Sequence, residues 1–235
     1  MTQLTDSVVL VTGANGGLGT EFVSQALQRG ARRVYATARK PRSWDDGRVV
    51  QLALDVTDSA SVAAAAEAAA DTTIVINNAG ISAGRSLLAM PLGEVRATYE
   101  TNVFGPIAVA QAFAPVLADN GGGALVDVHS VLSWLARPGV YPSTKAALWS
   151  VTNTLRLELA AQKTQVVGAH LGYADTPMTA GLDVAKADPR DIVAAIYDGL
   201  EAGDHEVLAD DISRQVKQGL SQPLAALYPQ LADGT

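Results

Sequence analysis

VVLVTGANGGLGTEFVSQAL, Val8 to Leu27, runs four branched apolar residues into a glycine-rich turn and then into an amphipathic segment. A short apolar run without polar alternation is a strand buried on both faces. Gly13 permits a tight turn out of that strand, Gly17 lets backbone approach a ligand closely, and Gly19 permits the next helix to pack on the strand. Strand, glycine turn and helix, in that order, begin a parallel α/β sheet.

The same alternation recurs down the chain. VYAT (34–37), VVQLAL (49–54), TIVI (73–76), ALVDV (124–128), VVGAHL (166–171) and HEVLA (205–209) are each followed by a longer, Ala/Leu-rich segment read as helical. This predicts a doubly wound (Rossmann) parallel sheet of about seven strands with helices on both faces, in a single domain over residues 1–235. Asp58 or Ser59 can cap the alanine-rich SVAAAAEAAAD, Pro91 suits the first turn of a helix near LGEVRATYE, and GGG (121–123) stops the helix before the fifth strand.

Composition excludes several functions. The net charge is -7 and no long basic run exists, so the electrostatic footprint for nucleic acid or an anionic membrane is missing. The absence of cysteine excludes disulfides, thiolate catalysis and sulfur-held zinc, and fits a reducing cytoplasm. The N-terminus carries no export-type segment, and no stretch is expected to span a bilayer. His129, His170 and His205 are scattered without metal-ligand spacing, so they read as structural and no metal site is expected.

In such a sheet the glycine turn and the helix N-terminus hold the pyrophosphate of a dinucleotide, which makes Gly13, Asn15, Gly17, Leu18 and Gly19 the first candidate residues. A carboxylate at the end of the second strand would serve the ribose of NAD. Here Ala38 is followed by Arg39, Lys40 and Arg42, so an acid is missing where base is present, which favours NADP(H) while leaving NAD(H) possible. Asp55 and Val56 close the third strand, with Asp55 a candidate for the adenine amine. Asn78, Ala79 and Gly80 of NNAG leave room for a flat ligand after the fourth.

TGANGGLG, NNAG, Asn102, Ser130 and YPSTK (141–145) resemble, in order and position, the short-chain dehydrogenase/reductases over about residues 6 to 180. The resemblance implies Asn102, Ser130, Tyr141 and Lys145 as the catalytic group, with Gly172 and Thr176 contacting the nicotinamide amide. Independently, positions i and i+4 share a helix face, and an ammonium near a phenol of ordinary pKa about 10 favours the phenolate, which suits Tyr141 to general acid–base work. Ser130 and Tyr141 would donate to the substrate oxygen, Lys145 would hold the nicotinamide ribose, and Asn102 would support a water leading to the lysine. Three departures stand out. Ser130 precedes Tyr141 by eleven residues, a shorter interval than is usual in the family, with Ser133 a second serine; Pro142 requires a helix beginning close to Tyr141; and Leu171 replaces the customary proline before Gly172.

Leu132, Trp134, Leu135, Tyr173 and Met178 are expected on the substrate-pocket wall, where core packing is an equal alternative for any one of them. The segments 102–117 and 145–159 are apolar on more than one face, and the resemblance implies a homodimer or homotetramer formed through them. The expected activity is an NADPH-preferring carbonyl reductase, reversible as an alcohol dehydrogenase, acting on a small to medium ketone or aldehyde. TAGLDVAKADP is short for a lid, which suggests an open pocket of broad acceptance. Two other readings are an NADPH-binding regulator without turnover and an epimerase or dehydratase of the same family.

Overall fold

The computed structural model describes residues 1–82 and 85–234. Seven strands, β1 (Val8–Thr12), β2 (Arg33–Ala38), β3 (Val49–Ala53), β4 (Ile74–Asn77), β5 (Ala124–Val128), β6 (Gln165–His170) and β7 (Glu206–Leu208), form one sheet in the order β3-β2-β1-β4-β5-β6-β7. All pairings are parallel. The order reverses between β1 and β4, where a crevice opens at the strands' carboxyl ends. The helices are α1 (Leu18–Gln28), α2 (Ser59–Ala68), α3 (Leu92–Tyr99), α4 (Gly105–Asp119), α5 (Tyr141–Glu158), α6 (Pro189–Ala202), α7 (Asp211–Gly219) and the short α8 (Leu224–Leu227).

Alternation along β1 feeds two cores. Val9 and Val11 join Phe22 and Val23 of α1 and Ile192, Ile196 and Tyr197 of α6 on one face, while Val8 and Leu10 join Val62 of α2 and Val109, Phe113 and Leu117 of α4 on the other. Tyr197 meets Phe22 edge to face at 5.6 Å and donates its hydroxyl to the Phe22 carbonyl at 2.8 Å, so the most buried phenol of this layer is satisfied. Asp58 caps α2 by accepting from Ala60 N, and Asp188 and Asp210 cap α6 and α7 in the same way.

Two sequence expectations about helices meet different outcomes. Pro142 lies in the first turn of α5, which starts at Tyr141, so its missing N–H removes no interior bond. The expectation that no stretch could span a bilayer needs correction, because α3, a π-helical turn (Glu100–Phe104) and α4 join into a 28-residue run, Leu92–Asp119, long and apolar enough to do so by composition. Val109, Ala110, Phe113 and Leu117 of that run are buried in the sheet's second core.

The glycine turn is constrained by backbone. A Cβ on Gly19 would lie 2.2 Å from the Gly13 carbonyl oxygen and 2.9 Å from Ala14 Cα, neither of which can rotate away, whereas a Cβ on Gly16 meets nothing within 4 Å. Gly19→Ala is therefore expected to lower stability by about 1–3 kcal/mol through overpacking, and Gly16→Ala to leave it nearly unchanged, as read by urea unfolding. Equal midpoints for the two variants would contradict the close-packing account.

Candidate functional site

The carboxyl ends of the central strands line one cleft of about 1540 Å³. Gly13, Asn15, Gly17 and Leu18 enter it from the glycine turn, Arg39 and Lys40 from the end of β2, and Asp55 and Val56 from the end of β3. Asn78, Ala79 and Gly80 follow β4, Ser130 follows β5, Tyr141 and Lys145 come from α5, and Gly172 and Thr176 follow β6.

Hydrogen bonds tie these loops together. Thr12 Oγ1 accepts from Asn78 N and Ala79 N, both at 3.0 Å, while Asn78 Nδ2 donates to the Thr12 carbonyl at 2.9 Å and the Gly13 carbonyl at 3.2 Å. Asn15 Nδ2 donates to the Lys40 carbonyl at 2.7 Å and its Oδ1 accepts from Arg42 N at 3.3 Å, which pins the basic turn to the glycine turn. Gly13 and Gly17 have φ of 68° and 54°, left-handed values that glycine adopts without strain. Unlike α2, α6 and α7, α1 has no side-chain cap, and Gly16, Gly17 and Leu18 at its start face the cleft. Its first N–H groups thus suit an anionic group, which is the fit a dinucleotide pyrophosphate requires.

One basic-turn expectation changes, and one strand-end carboxylate gains local partners. Arg42 does not line the cleft; its guanidinium stacks over Trp44, 4.1 Å from the ring centroid. Asp55 Oδ1 accepts from Thr57 N at 3.0 Å and Thr57 Oγ1 at 2.7 Å, bonds that, with the Arg39 charge, hold its carboxyl below the usual carboxylate range. That oxygen therefore shapes the turn after β3.

At the other end of the cleft, Lys145 Nζ donates to the Val128 carbonyl at 2.7 Å and sits 5.7 Å from the Tyr141 ring centroid. Burial lowers the Lys145 ammonium to about 8, against which the Asp127 carboxylate pulls upward. Burial pushes the Tyr141 phenol up to about 12, opposed by hydrogen bonding to Ser130. In the protein alone the phenol is thus raised where a depression by the lysine was expected, with burial the largest influence and the Ser130 hydrogen bond the one that opposes it. Ser130 Oγ also accepts from Leu132 N at 3.2 Å, which caps the turn that follows β5.

Asn102 does not reach the cleft. It is 1% exposed, in the π-helical turn, with Oδ1 accepting from Ile81 N at 2.9 Å and Nδ2 donating to the Ile81 carbonyl at 2.9 Å and Thr144 Oγ1 at 3.1 Å. Those partners, the Ile81 backbone and the Thr144 hydroxyl, occupy the carboxamide and fix the loop after β4 against α5. Leu132, Tyr173 and Met178 line the cleft as expected, but Trp134 and Leu135 do not. Trp134 stacks on His170 at 3.9 Å and meets Trp149 edge-on at 6.4 Å.

Behind Lys145 lies a buried polar seam that motif reading missed. Asp127, fully buried, accepts from Asn77 Nδ2 at 2.9 Å and Thr152 Oγ1 at 2.6 Å, and Thr152 Oγ1 is 3.1 Å from His129 Nε2. His129 and His170, read as scattered, stack at 4.8 Å because β5–β6 pairing sets Val128 opposite Ala169. The missed signal was polar DVH at the end of a strand flanked by strands on both sides, where every side chain is buried. Among the described residues no cluster suited to a metal ion occurs.

The sequence profile of the short chain dehydrogenase family matches residues 7–187. The chain belongs to that family. A short chain dehydrogenase from Burkholderia cenocepacia J2315, solved in complex with NADP, is similar at 36% identity and a TM-score of 0.91, over 97% of this chain and 99% of that one. A 3-ketoacyl-(acyl-carrier-protein) reductase from Brucella melitensis, complexed with NADH, is similar at 25% identity and a TM-score of 0.80, over 87% of this chain and 96% of that one. An uncharacterized oxidoreductase of Staphylococcus aureus strain USA300 is 30% identical over 222 residues, 87% of this chain and 95% of the relative. This short-chain dehydrogenase accordingly has the Rossmann architecture of an oxidoreductase.

The histidine pair gives this short-chain dehydrogenase an acid-sensitive interior. Burial lowers His170 to about 3 and His129 well below its ordinary value, so the folded state binds fewer protons than the unfolded state below about pH 6.5. Stability is then present above the unfolded value and lost as pH falls toward the folded one, at up to about 1.4 kcal/mol per pH unit for each histidine. His170→Phe, which can keep the stack on Trp134, is expected to flatten urea-measured stability between pH 6 and 4 by about one proton's slope. An unchanged slope would contradict a neutral buried His170.

Proposed function

We propose that the chain is an NADPH-preferring carbonyl reductase, reversible as an alcohol dehydrogenase. The observation that carries this reading is one continuous cleft joining Arg39 and Lys40, after a strand that ends in Ala38 without a carboxylate, to Ser130, Tyr141 and Lys145. The similarity to a dehydrogenase solved with NADP supports the same cofactor. The uncapped start of α1 would hold the pyrophosphate, Arg39 the 2′-phosphate, and Gly172 and Thr176 the nicotinamide end. When bound, a reduced nicotinamide supplies the hydride.

The chain's residues then manage the proton. A phenol at about 12 is fully protonated at neutral pH, so Tyr141 can hand its proton to the substrate oxygen as negative charge develops there, with Ser130 as second donor. Lys145, lowered to about 8, is still mostly ammonium at pH 7, and its nearby charge would favour the phenolate that Tyr141 leaves behind. Asn102 is a positioning residue that fixes Ile81 and Thr144 around these groups. A second copy of the chain would cover Phe104, 53% exposed, and Leu157, 80% exposed, on the α4 and α5 side, and the enzyme would work in the cytoplasm.

Following reduced-nicotinamide absorbance against a ketone panel tests the proposal. Tyr141→Phe is expected to lower kcat by about 10²–10⁴-fold with NADPH affinity little changed, and Arg39→Ala to reduce the NADPH-to-NADH preference by about tenfold. Full turnover in Tyr141→Phe would refute the acid–base role. An unchanged cofactor ratio in Arg39→Ala would refute phosphate recognition by that residue.

A further inference from the structure

The reductase reading leaves one cleft residue without a task. Arg137, in the loop between Ser130 and Tyr141, is exposed and lines the cleft with Leu132, Tyr173 and Met178. Its guanidinium sits 5.6 Å from the Tyr173 ring centroid, a cation–π contact that limits where the long side chain can point. Just before it, Ala136 N donates to the Tyr228 hydroxyl at 3.0 Å, so the C-terminal segment tethers the loop at this point.

In this protein of net charge -7, six of the twelve arginines pair closely with a carboxylate. Arg29, Arg33, Arg48, Arg85, Arg190 and Arg214 each pair with an aspartate or glutamate within 3.2 Å. Arg137 pairs with none among the described residues and makes no hydrogen bond there. Among cleft-lining arginines only Arg39 shares this condition, and it belongs to the end proposed for the cofactor phosphate. A planar guanidinium left with its donors open, oriented by an aromatic face, is suited to a carboxylate.

We propose that Arg137 binds an anionic group of the substrate, so that the enzyme acts on oxo acids whose carbonyl lies at Tyr141 and Ser130 and whose carboxylate reaches Arg137. This rests on the reductase reading and names its substrate class. The apolar side chains of Leu132, Tyr173 and Met178 would hold the carbon chain between the two polar ends, and the broad acceptance expected from sequence narrows to carbonyl compounds with an anionic tail. Because Arg137 is exposed, water screens the pair, and the discrimination is expected near tenfold, the weak end for a charge-assisted contact.

The test compares 2-oxobutanoate, 4-oxopentanoate and 5-oxohexanoate with their methyl esters. For at least one pair, wild type is expected to show a kcat/KM ratio of acid to ester about tenfold or more above one. Arg137→Gln should bring that ratio near one through KM, and Arg137→Lys should restore part of it. Calorimetry of 4-hydroxypentanoate and its methyl ester with NADPH-loaded protein reads binding separately. Arg137-dependent carboxylate binding without turnover would condemn the reductase reading and keep the anion site. Reduction of acids and esters alike, with a ratio indifferent to Arg137→Gln, would overturn the anion site and keep the reductase.

Discussion

The ammonium of Lys145 donating to the Val128 carbonyl at 2.7 Å is the contact on which the reacting end of the cleft depends. It fastens the first turns of α5 to the end of β5, and so fixes Tyr141, one turn earlier on the helix, beside Ser130, two residues beyond the strand. Burying that charge is unfavourable: a fall from 10.5 to about 8 corresponds to a penalty on the order of 3 kcal/mol. The penalty is complete below about pH 8 and is relieved as pH rises from the folded value toward the unfolded one, because the folded state then binds fewer protons. Asp127 limits it by pulling the lysine upward from behind; burial pushes its own carboxyl above the usual carboxylate range, and the hydrogen bonds from Thr152 and Asn77 oppose that rise.

The same tension between burial and charge explains the phenol. Tyr141 is raised in the protein alone by the protein packed around it, while the Lys145 ammonium donates to a backbone carbonyl. Cations at the cleft's two ends, Arg39 and Arg137, stand out in a chain that is acidic elsewhere, and each is held by its neighbours: the basic turn through Asn15, and Arg137 through Tyr173 and the Tyr228 tether. Anion recognition at both ends would position a substrate and cofactor against Tyr141 without contact to the reacting atoms.

What could be read from sequence was local. The five inner strands showed as largely apolar runs because a parallel sheet covered on both faces buries nearly every side chain, whereas the edge strand β3 is mostly exposed; the glycine turn and the start of α5 at Tyr141 carry their own backbone chemistry. What escaped was set by register between distant segments. His129 meets His170 only because β5 lies beside β6, Trp134 leaves the cleft because that pair offers a ring to stack on, and Asn102 is absorbed by Ile81 and Thr144. Asp127 looked like an ordinary strand residue in ALVDV, since a counter-ion is recognised only once its lysine, eighteen residues on, is in view.

The most direct measurement is an NMR titration of the Lys145 side chain in 13C-lysine-labelled protein, assigned with Lys145→Arg and repeated in Asp127→Asn. The account predicts a pKa near 8 that falls further when the Asp127 carboxylate is removed. An ordinary lysine value near 10.5, indifferent to Asp127→Asn, would contradict a buried ammonium as the organising charge of the site.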